Sequence, residues 1–455
     1  MTGASNISSI RKAYFIGIGG IGMSALARFF HHQGAEVAGY DKTPTALTQT
    51  LVAEGIAVHY DDDPSRCPLD ADIIVYTPAI PADNNIIQYC RDQQVELLKR
   101  SDVLQIISKG TYNICIAGTH GKTTTSAMVA HILRDSGYGC NAFLGGISTN
   151  YHTNFWSDIN PVAVIEADEY DRSFLKLYPD IISISSMDPD HLDIYGTAEE
   201  MESAFIQFTG NLKEKGLLLT KKGLKREKDF QAPKRLSYAV NDLTADIHVV
   251  SLNIQEGAYQ YDVVGPDWQL KGIQLNMGGM HNVENSLVAI AIAKHLSIQD
   301  EKILHAVANF KGVKRRFEYI LKTDKKIYID DYAHHPEELR MLLSSVKEFY
   351  PNRQLTIIFQ PHLYTRTRDL VDGFAESLDL ADEIWLLPIY PARELPIEGV
   401  SSIMIANKMK KAVRLVERED ISSLLASECP DLLITAGAGD IDKMVEPIKQ
   451  IMLSA

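Results

Sequence analysis

Three stretches of the chain share one pattern: a short apolar run, then glycine or polar residues, then apolar positions spaced three and four apart. The first is Ala13 to Gly17, running into GIGGIGMSALARFF. The second is Asn113 to Ala117, running into GTHGKTTTSAMVAHIL, and the third is Lys326 to Ile329, followed by DDYAHHPEELRMLLSSV. In each, β-branched and aromatic residues give way to a helical period, which predicts a strand feeding an amphipathic helix. Strands alternating with helices fold as parallel sheets with right-handed crossovers, so each stretch predicts an α/β domain.

Two further apolar runs, Pro161 to Ala167 and Ile181 to Ser185, read as strands that end in acidic turns. From Ile247 to Met277 the pattern changes to short alternating strands punctuated by Gly257, Gly265-Pro266 and Gly272, which predicts a small antiparallel addition to the middle domain. A chain of 455 residues exceeds what one hydrophobic core usually serves. Boundaries fit near Lys99 to Tyr112, after a short helix around Leu104 to Ser108, and in the basic FKGVKRR from Phe310 to Arg316. The expected domains are therefore 1–106, 107–312 and 313–455.

Composition narrows the function. A net charge of −14, with no long run of lysine and arginine, argues against nucleic acid as a partner, because phosphate backbones are held by basic stripes. The densest basic stretch, Lys221 to Lys228, reads as a solvated surface segment. Cys67, Cys90, Cys115, Cys140 and Cys429 are odd in number and scattered without a CxxC pair, which argues against a disulfide framework and a structural zinc site. The apolar run near the N-terminus is broken at once by glycines, and no stretch approaches the roughly 20 apolar residues that span a bilayer. A cytoplasmic protein, monomer or homodimer, without membrane partners is expected.

The sharpest chemical signal is Gly118-Thr119-His120-Gly121-Lys122-Thr123-Thr124 between strand and helix. Backbone N–H groups of such a loop converge on a phosphate, and the helix N-terminus adds partial positive charge. Lys122 would reach the β- and γ-phosphates and Thr123 would bind Mg²⁺. The loop is a variant, because the usual first glycine would stand at Ile116. A metal needs a carboxylate, and Asp168 and Glu169 follow a parallel strand whose end faces the same crevice; a solvated acidic turn is the alternative. His191, among the carboxylates of Asp188 to Asp193, reads as a metal ligand or as a hydrogen-bonded loop residue.

Gly17-Ile18-Gly19-Gly20-Ile21-Gly22 matches GxGxxG, and Asp41 ends the next strand region about twenty residues on. Dinucleotide binding and structural glycines are two readings. A third is a nucleotide-diphosphate sugar, since any pyrophosphate can sit on that helix N-terminus and ATP would take the second loop.

The motifs GIGGIGMSAL, GTHGKTTT, EADEYDRSFL, DPDHLD, GMHNVENSL, KRRFE, DDYAHHPEE and FQPHLYTRTRDL, in this order, resemble the Mur ligase family over nearly the whole chain, most closely its UDP-N-acetylmuramate–L-alanine ligases. That resemblance implies an N-terminal Rossmann-like domain for the UDP-sugar, a central P-loop ATPase-like domain, and a C-terminal Rossmann-like domain that closes over the site. It implies ATP-dependent ligation of L-alanine to the lactyl carboxylate of UDP-N-acetylmuramate, with two Mg²⁺ ions. Carried over by residue, Gly17, Gly19, Gly20, Gly22 and Asp41 serve the UDP-sugar. Gly118, Thr119, His120, Gly121, Lys122, Thr123 and Thr124 hold the ATP phosphates, joined by Arg316. His281, Asn282 and Asn285 resemble adenine-side contacts, and Asp331 resembles a nucleotide contact. Thr123, Glu169 and His191 resemble metal ligands, and Lys122, Arg316 and His191 carry the catalytic roles. Tyr332, His334 and Arg366 would meet the amino acid. Leu363 stands where much of the family has an arginine, which leaves Arg366 as the carboxylate anchor. EADEYD also occurs in the recycling ligase that attaches a tripeptide to the same sugar nucleotide, the nearest rival; a nucleotide-binding regulator or motor ATPase is a distant one.

Overall fold

A computed structural model describes residues 7–189, 192–255, 257–392 and 394–454. The strands form three sheets. The first contains β1 (Lys12–Ile16), β2 (Glu36–Tyr40), β3 (Ala57–His59), β4 (Ile73–Tyr76) and β5 (Leu97–Lys99) in the order β3-β2-β1-β4-β5, with every pairing parallel. The order reverses between β1 and β4, the switch point where ligands of open α/β sheets sit. The expected strand at Ala13 is β1, and Gly17 leaves it at φ +87°, a conformation that suits glycine.

The second sheet contains β6 (Tyr112–Ala117), β7 (Asn141–Ser148), β8 (Thr153–Trp156), β9 (Val162–Glu166), β10 (Ile181–Ile184), β11 (Leu217–Lys221), β12 (Lys234–Ala239), β13 (Ile247–Gln255), β14 (Ala258–Val264) and β15 (Gln269–Leu275). Its order is β15-β14-β13-β12-β11-β10-β6-β9-β7-β8. Pairings from β7 through β9, β6, β10, β11 and β12 to β13 are parallel, and β7–β8 is antiparallel. The adjacent strands β13, β14 and β15 are joined by links too short for a parallel crossover, so they are the expected antiparallel addition. The helix Lys122–Asp135 is buried on every side from Thr123 to Leu133, which fixes its first turn firmly.

The third sheet contains β16 (Glu318–Lys322), β17 (Ile327–Asp331), β18 (Leu355–Phe359), β19 (Glu383–Leu386), β20 (Val413–Leu415) and β21 (Leu432–Ala436) in the order β16-β17-β21-β18-β19-β20. Only the edge pairing β16–β17 is antiparallel among those described. Pro336 opens the helix Pro336–Phe349 at its first position, with His335 as the cap.

The chain divides into two compact units. One holds the chain up to Val250 with Asp262–Lys271 and Glu284–Val307; the other holds Ser251–Tyr261, Gly272–Val283 and the chain from Ala308 onward. In the first unit, the helix Ile21–His32 is joined to β7 and β8. Phe29 packs on Phe143 and Phe155, while buried Asn154 donates to Ser24 Oγ at 3.0 Å and to the Ile21 carbonyl. Buried Arg28 donates to Asn154 and forms a two-pronged pair with Glu54 at 2.7 and 2.9 Å. The basic stretch from Lys221 is paired with Glu284, Asp242, Glu202 and Asp229, as a solvated surface would be. Among the described residues, no helix is long and apolar enough to cross a membrane.

Candidate active site

The loop after β6 turns on two glycines. Gly118 has φ +123°, and a Cβ there would lie 2.2 Å from Ser185 Oγ and 2.9 Å from two backbone nitrogens. Gly121, at φ +82°, caps the helix Lys122–Asp135, and its Cβ would meet Asn285 Oδ1 at 2.8 Å. Asn285 thus borders this loop. Ser186 Oγ accepts from the His120 N–H and from Thr119 Oγ1, both at 2.9 Å, bracing the loop against the end of β10. Thr124 is buried in the first helical turn.

Lys122 Nζ sits 2.8 Å from the carbonyl of Gly118 and 2.8 Å from each carboxylate oxygen of Glu169. Glu169 is 1% exposed; burial raises its pKa and Lys122 opposes the rise. Thr123 Oγ1 instead donates to Glu166 Oε1 at 2.9 Å, and Glu166 Oε2 accepts from the Gly145 N–H at 2.9 Å. Glu166 is the last residue of β9, beside β6. The structure therefore puts Glu166 on the threonine and Glu169 on the lysine. Sequence reasoning passed over Glu166, whose only signal was its place at the end of an apolar strand. A hydroxyl and a carboxylate meeting beside a phosphate loop are hard oxygen donors that fit Mg²⁺, which takes one or two carboxylates together with phosphate oxygens. His191 lies outside the described residues, and among those described no group of three or more His, Cys, Asp or Glu gathers as a cation cage.

The N-terminal glycine loop lies in the same unit. The N–H groups of Gly17 and Ile18 are bound to the carbonyl of Tyr40, and that of Gly19 to Asp41 Oδ2 at 2.8 Å. Asp41 thus shapes the loop from within. Gly20 is the N-cap of Ile21–His32. Gly22 is overlain by Arg100, whose Nη1 is 2.1 Å from where a Cβ would stand. Arg100 Nη2 reaches Asp168 Oδ2 at 3.5 Å, and Lys99 reaches Asp171 at 2.7 Å. A run of contacts therefore joins one glycine loop to the other, through Gly22, Arg100, Asp168, Glu169 and Lys122.

In the second unit, Asp331 Oδ2 accepts from the Phe317 N–H at 2.6 Å and Oδ1 from that of Ala333 at 2.7 Å, and burial lifts its pKa to about 6. Its neighbour Asp330, 1% exposed, is lifted to about 7 by burial, against a hydrogen bond from Thr435 and the Arg315 ion pair at 3.3 Å. Arg315 and Phe317 both have positive φ, which holds exposed Arg316 between two left-handed residues. His281 is pushed down to about 4 by burial and by the charge of Arg316, and Asn282 donates to the Gly278 carbonyl at 2.7 Å.

The three amino-acid candidates meet through a residue that sequence reasoning did not single out. Arg366 Nη1 donates to His362 Nδ1 at 3.2 Å, and the His362 ring lies edge-on to His334, which lies edge-on to Tyr332. His334 Nδ1 donates to the Tyr332 carbonyl at 2.9 Å. Burial lowers the pKa of both histidines, with Arg366 adding to the effect. Leu363 has φ +71° at the N-cap of the helix Tyr364–Asp369, and its N–H is bound to the Tyr390 carbonyl at 2.9 Å.

Residues 12–112 match the Mur ligase family catalytic domain, 116–293 the Mur ligase middle domain and 315–439 the Mur ligase glutamate ligase domain. The chain is 45% identical over 453 residues to a UDP-N-acetylmuramate–L-alanine ligase of Flavobacterium johnsoniae, covering 98% of this chain and 99% of that one. The chain belongs to the Mur ligase family. A second relative with the same name, from Parabacteroides distasonis, is 46% identical, with 98% of each chain covered. Among solved structures, a UDP-N-acetylmuramate-alanine ligase, MurC, from Thermotoga maritima matches with a TM-score of 0.82 at 29% identity, covering 97% of this chain and 99% of that one. A murein peptide ligase from Psychrobacter arcticus shares the fold, with a TM-score of 0.64 at 22% identity over 98% of both chains. The Mur ligase fold expected from the sequence, α/β with a mostly parallel central sheet, is the one observed.

Proposed function

We propose that this Mur ligase joins L-alanine to the lactyl carboxylate of UDP-N-acetylmuramate while converting ATP to ADP and phosphate. The observation that carries this reading is the pair of glycine cradles in one compact unit, linked by Arg100, Asp168, Glu169 and Lys122. Relatives of that name at 45% and 46% identity support the choice of substrates.

The loop from Gly118 to Thr124 binds the ATP phosphates through its N–H groups, and Lys122 places its ammonium on the transferring phosphate. Thr123 and Glu166 would hold a magnesium ion, which when bound neutralises charge on the phosphate oxygens. The UDP-sugar sits on the loop from Gly17 to Gly22 and presents its carboxylate toward Lys122. The carboxylate oxygen attacks the γ-phosphorus, ADP departs, and an acyl phosphate forms. The amine of alanine then attacks the acyl carbon and phosphate leaves. Neither step needs protein covalent chemistry, so positioning and charge stabilisation supply the rate.

Arg316 and Asp331 serve the nucleotide, His281, Asn282 and Asn285 its adenine, and a second magnesium ion falls to His191. Arg366 anchors the carboxylate of the amino acid, with Tyr332, His334 and His362 around its side chain.

Phosphate release tests the reading. It should require UDP-N-acetylmuramate together with L-alanine. Release with the tripeptide L-alanyl-γ-D-glutamyl-diaminopimelate and not with alanine would make the chain a recycling ligase. Release independent of both would make it a regulator or motor.

A further inference from the structure

Arg100 belongs to none of the glycine or lysine motifs, yet it occupies the ground between them. It is the first residue of the helix Arg100–Lys109, directly after β5, so it stands at the carboxyl edge of the first parallel sheet, where ligands of such sheets bind. Its side chain lies close against Gly22: a Cβ there would be 2.1 Å from Nη1 and 3.0 Å from Cζ. A side chain at position 22 would displace the arginine, which gives the third glycine of the motif a reason beyond helix packing.

The electrostatics call for a cation at this spot. The loop's own donors are partly spent, since the Gly19 N–H is bound by the Asp41 carboxylate, which also sets a negative charge at the loop. Asp168, 3.5 Å from Arg100, sets a second negative charge nearby. A pyrophosphate entering there would meet carboxylates in a chain of net charge −14, drawn by the helix dipole, while neighbouring Lys99 is already paired with Asp171 at 2.7 Å. Arg100 is the residue that reverses this balance. Its contact with Asp168, at 3.5 Å with both side chains partly exposed, adds little to stability, so the pair is not explained as a structural bridge.

We propose that Arg100 is a substrate-binding residue that grips the pyrophosphate of the UDP-sugar over the N-terminal glycine loop, with Asp168 as the positioning residue that aims it. The planar fork matches two phosphate oxygens, which a lysine cannot do. The proposal rests on the reading of the N-terminal loop as the UDP-sugar site.

The test uses the full chain, with binding of UDP-N-acetylmuramate and of UDP measured by calorimetry beside steady-state kinetics. Arg100→Ala should weaken both ligands at least thirtyfold and raise the KM for UDP-N-acetylmuramate to match. The KM for ATP, the melting temperature and kcat at saturating UDP-sugar should stay within about threefold or a few degrees. Arg100→Lys should recover only part of the binding, Asp168→Asn should show a smaller loss, and added guanidinium ion at low millimolar concentration should partly restore Arg100→Ala. Unchanged UDP binding in Arg100→Ala, or losses that track a fallen melting temperature without guanidinium rescue, would overturn the role of Arg100. Wild-type protein that fails to bind UDP or its sugar conjugate would instead overturn the underlying site reading.

Discussion

At the end of β9 three carboxylates fall within four residues, and each meets a different partner. Glu166 takes the Thr123 hydroxyl, Asp168 faces Arg100, and Glu169 is buried against Lys122. Their substitution should separate accordingly. Glu166→Gln should lower kcat by at least about 100-fold and raise the magnesium concentration needed for half activity. Glu169→Gln should act through Lys122, raising the KM for ATP about tenfold with an unchanged magnesium dependence. Equal magnesium titrations for the two variants would contradict the assignment. The sequence alone could not sort these acids, because a shift of one residue at a strand end reverses which face a side chain takes. In the second unit, Asp330 with its pKa near 7 predicts a pH effect on stability. The folded state keeps the proton that an unfolded aspartate releases near pH 4, so the contribution is present below pH 4 and is lost as pH rises through 7. Urea unfolding of Asp330→Asn should lack that fall, whose slope is at most about 1.4 kcal/mol per pH unit.

The helix Ile21–His32 shows what single elements do here. Its hydrophobic period and preceding glycines were legible in the sequence; its attachment to β8 was not, since Asn154 and Arg28 are separated by over a hundred residues and neither sits in a motif. The same holds for Arg100, while the strands at Ala13, Asn113 and Lys326 announced themselves because strand and helix periods are local. The anchored helix predicts that Glu54→Ala destabilises the protein by about 2 kcal/mol, since it leaves the 3%-exposed Arg28 charge without its carboxylate. Denaturant unfolding measures this, and a change below about 0.5 kcal/mol would remove the helix anchor from the account.

For the molecule as a whole, two cradles mean two independent ligands. Each should raise the melting temperature separately, by roughly 2.7 kcal/mol of stabilisation at 100 times its Kd. Lys122→Ala should abolish the shift caused by magnesium ATP and keep the shift caused by UDP-N-acetylmuramate; loss of both would mean a single shared site. The family-wide order of motifs made the overall chemistry readable in advance, whereas the partition of its residues between the two compact units is a property of the folded chain.

The central claim is that the sugar carboxylate, held between the cradles, is phosphorylated before the amine arrives. UDP-N-acetylmuramate labelled with ¹⁸O in both carboxylate oxygens tests it directly, with ATP and L-alanine supplied and the released phosphate analysed by mass. One ¹⁸O atom in each phosphate is the expected result, because the oxygen that attacks phosphorus leaves with it. Phosphate free of label would contradict the account.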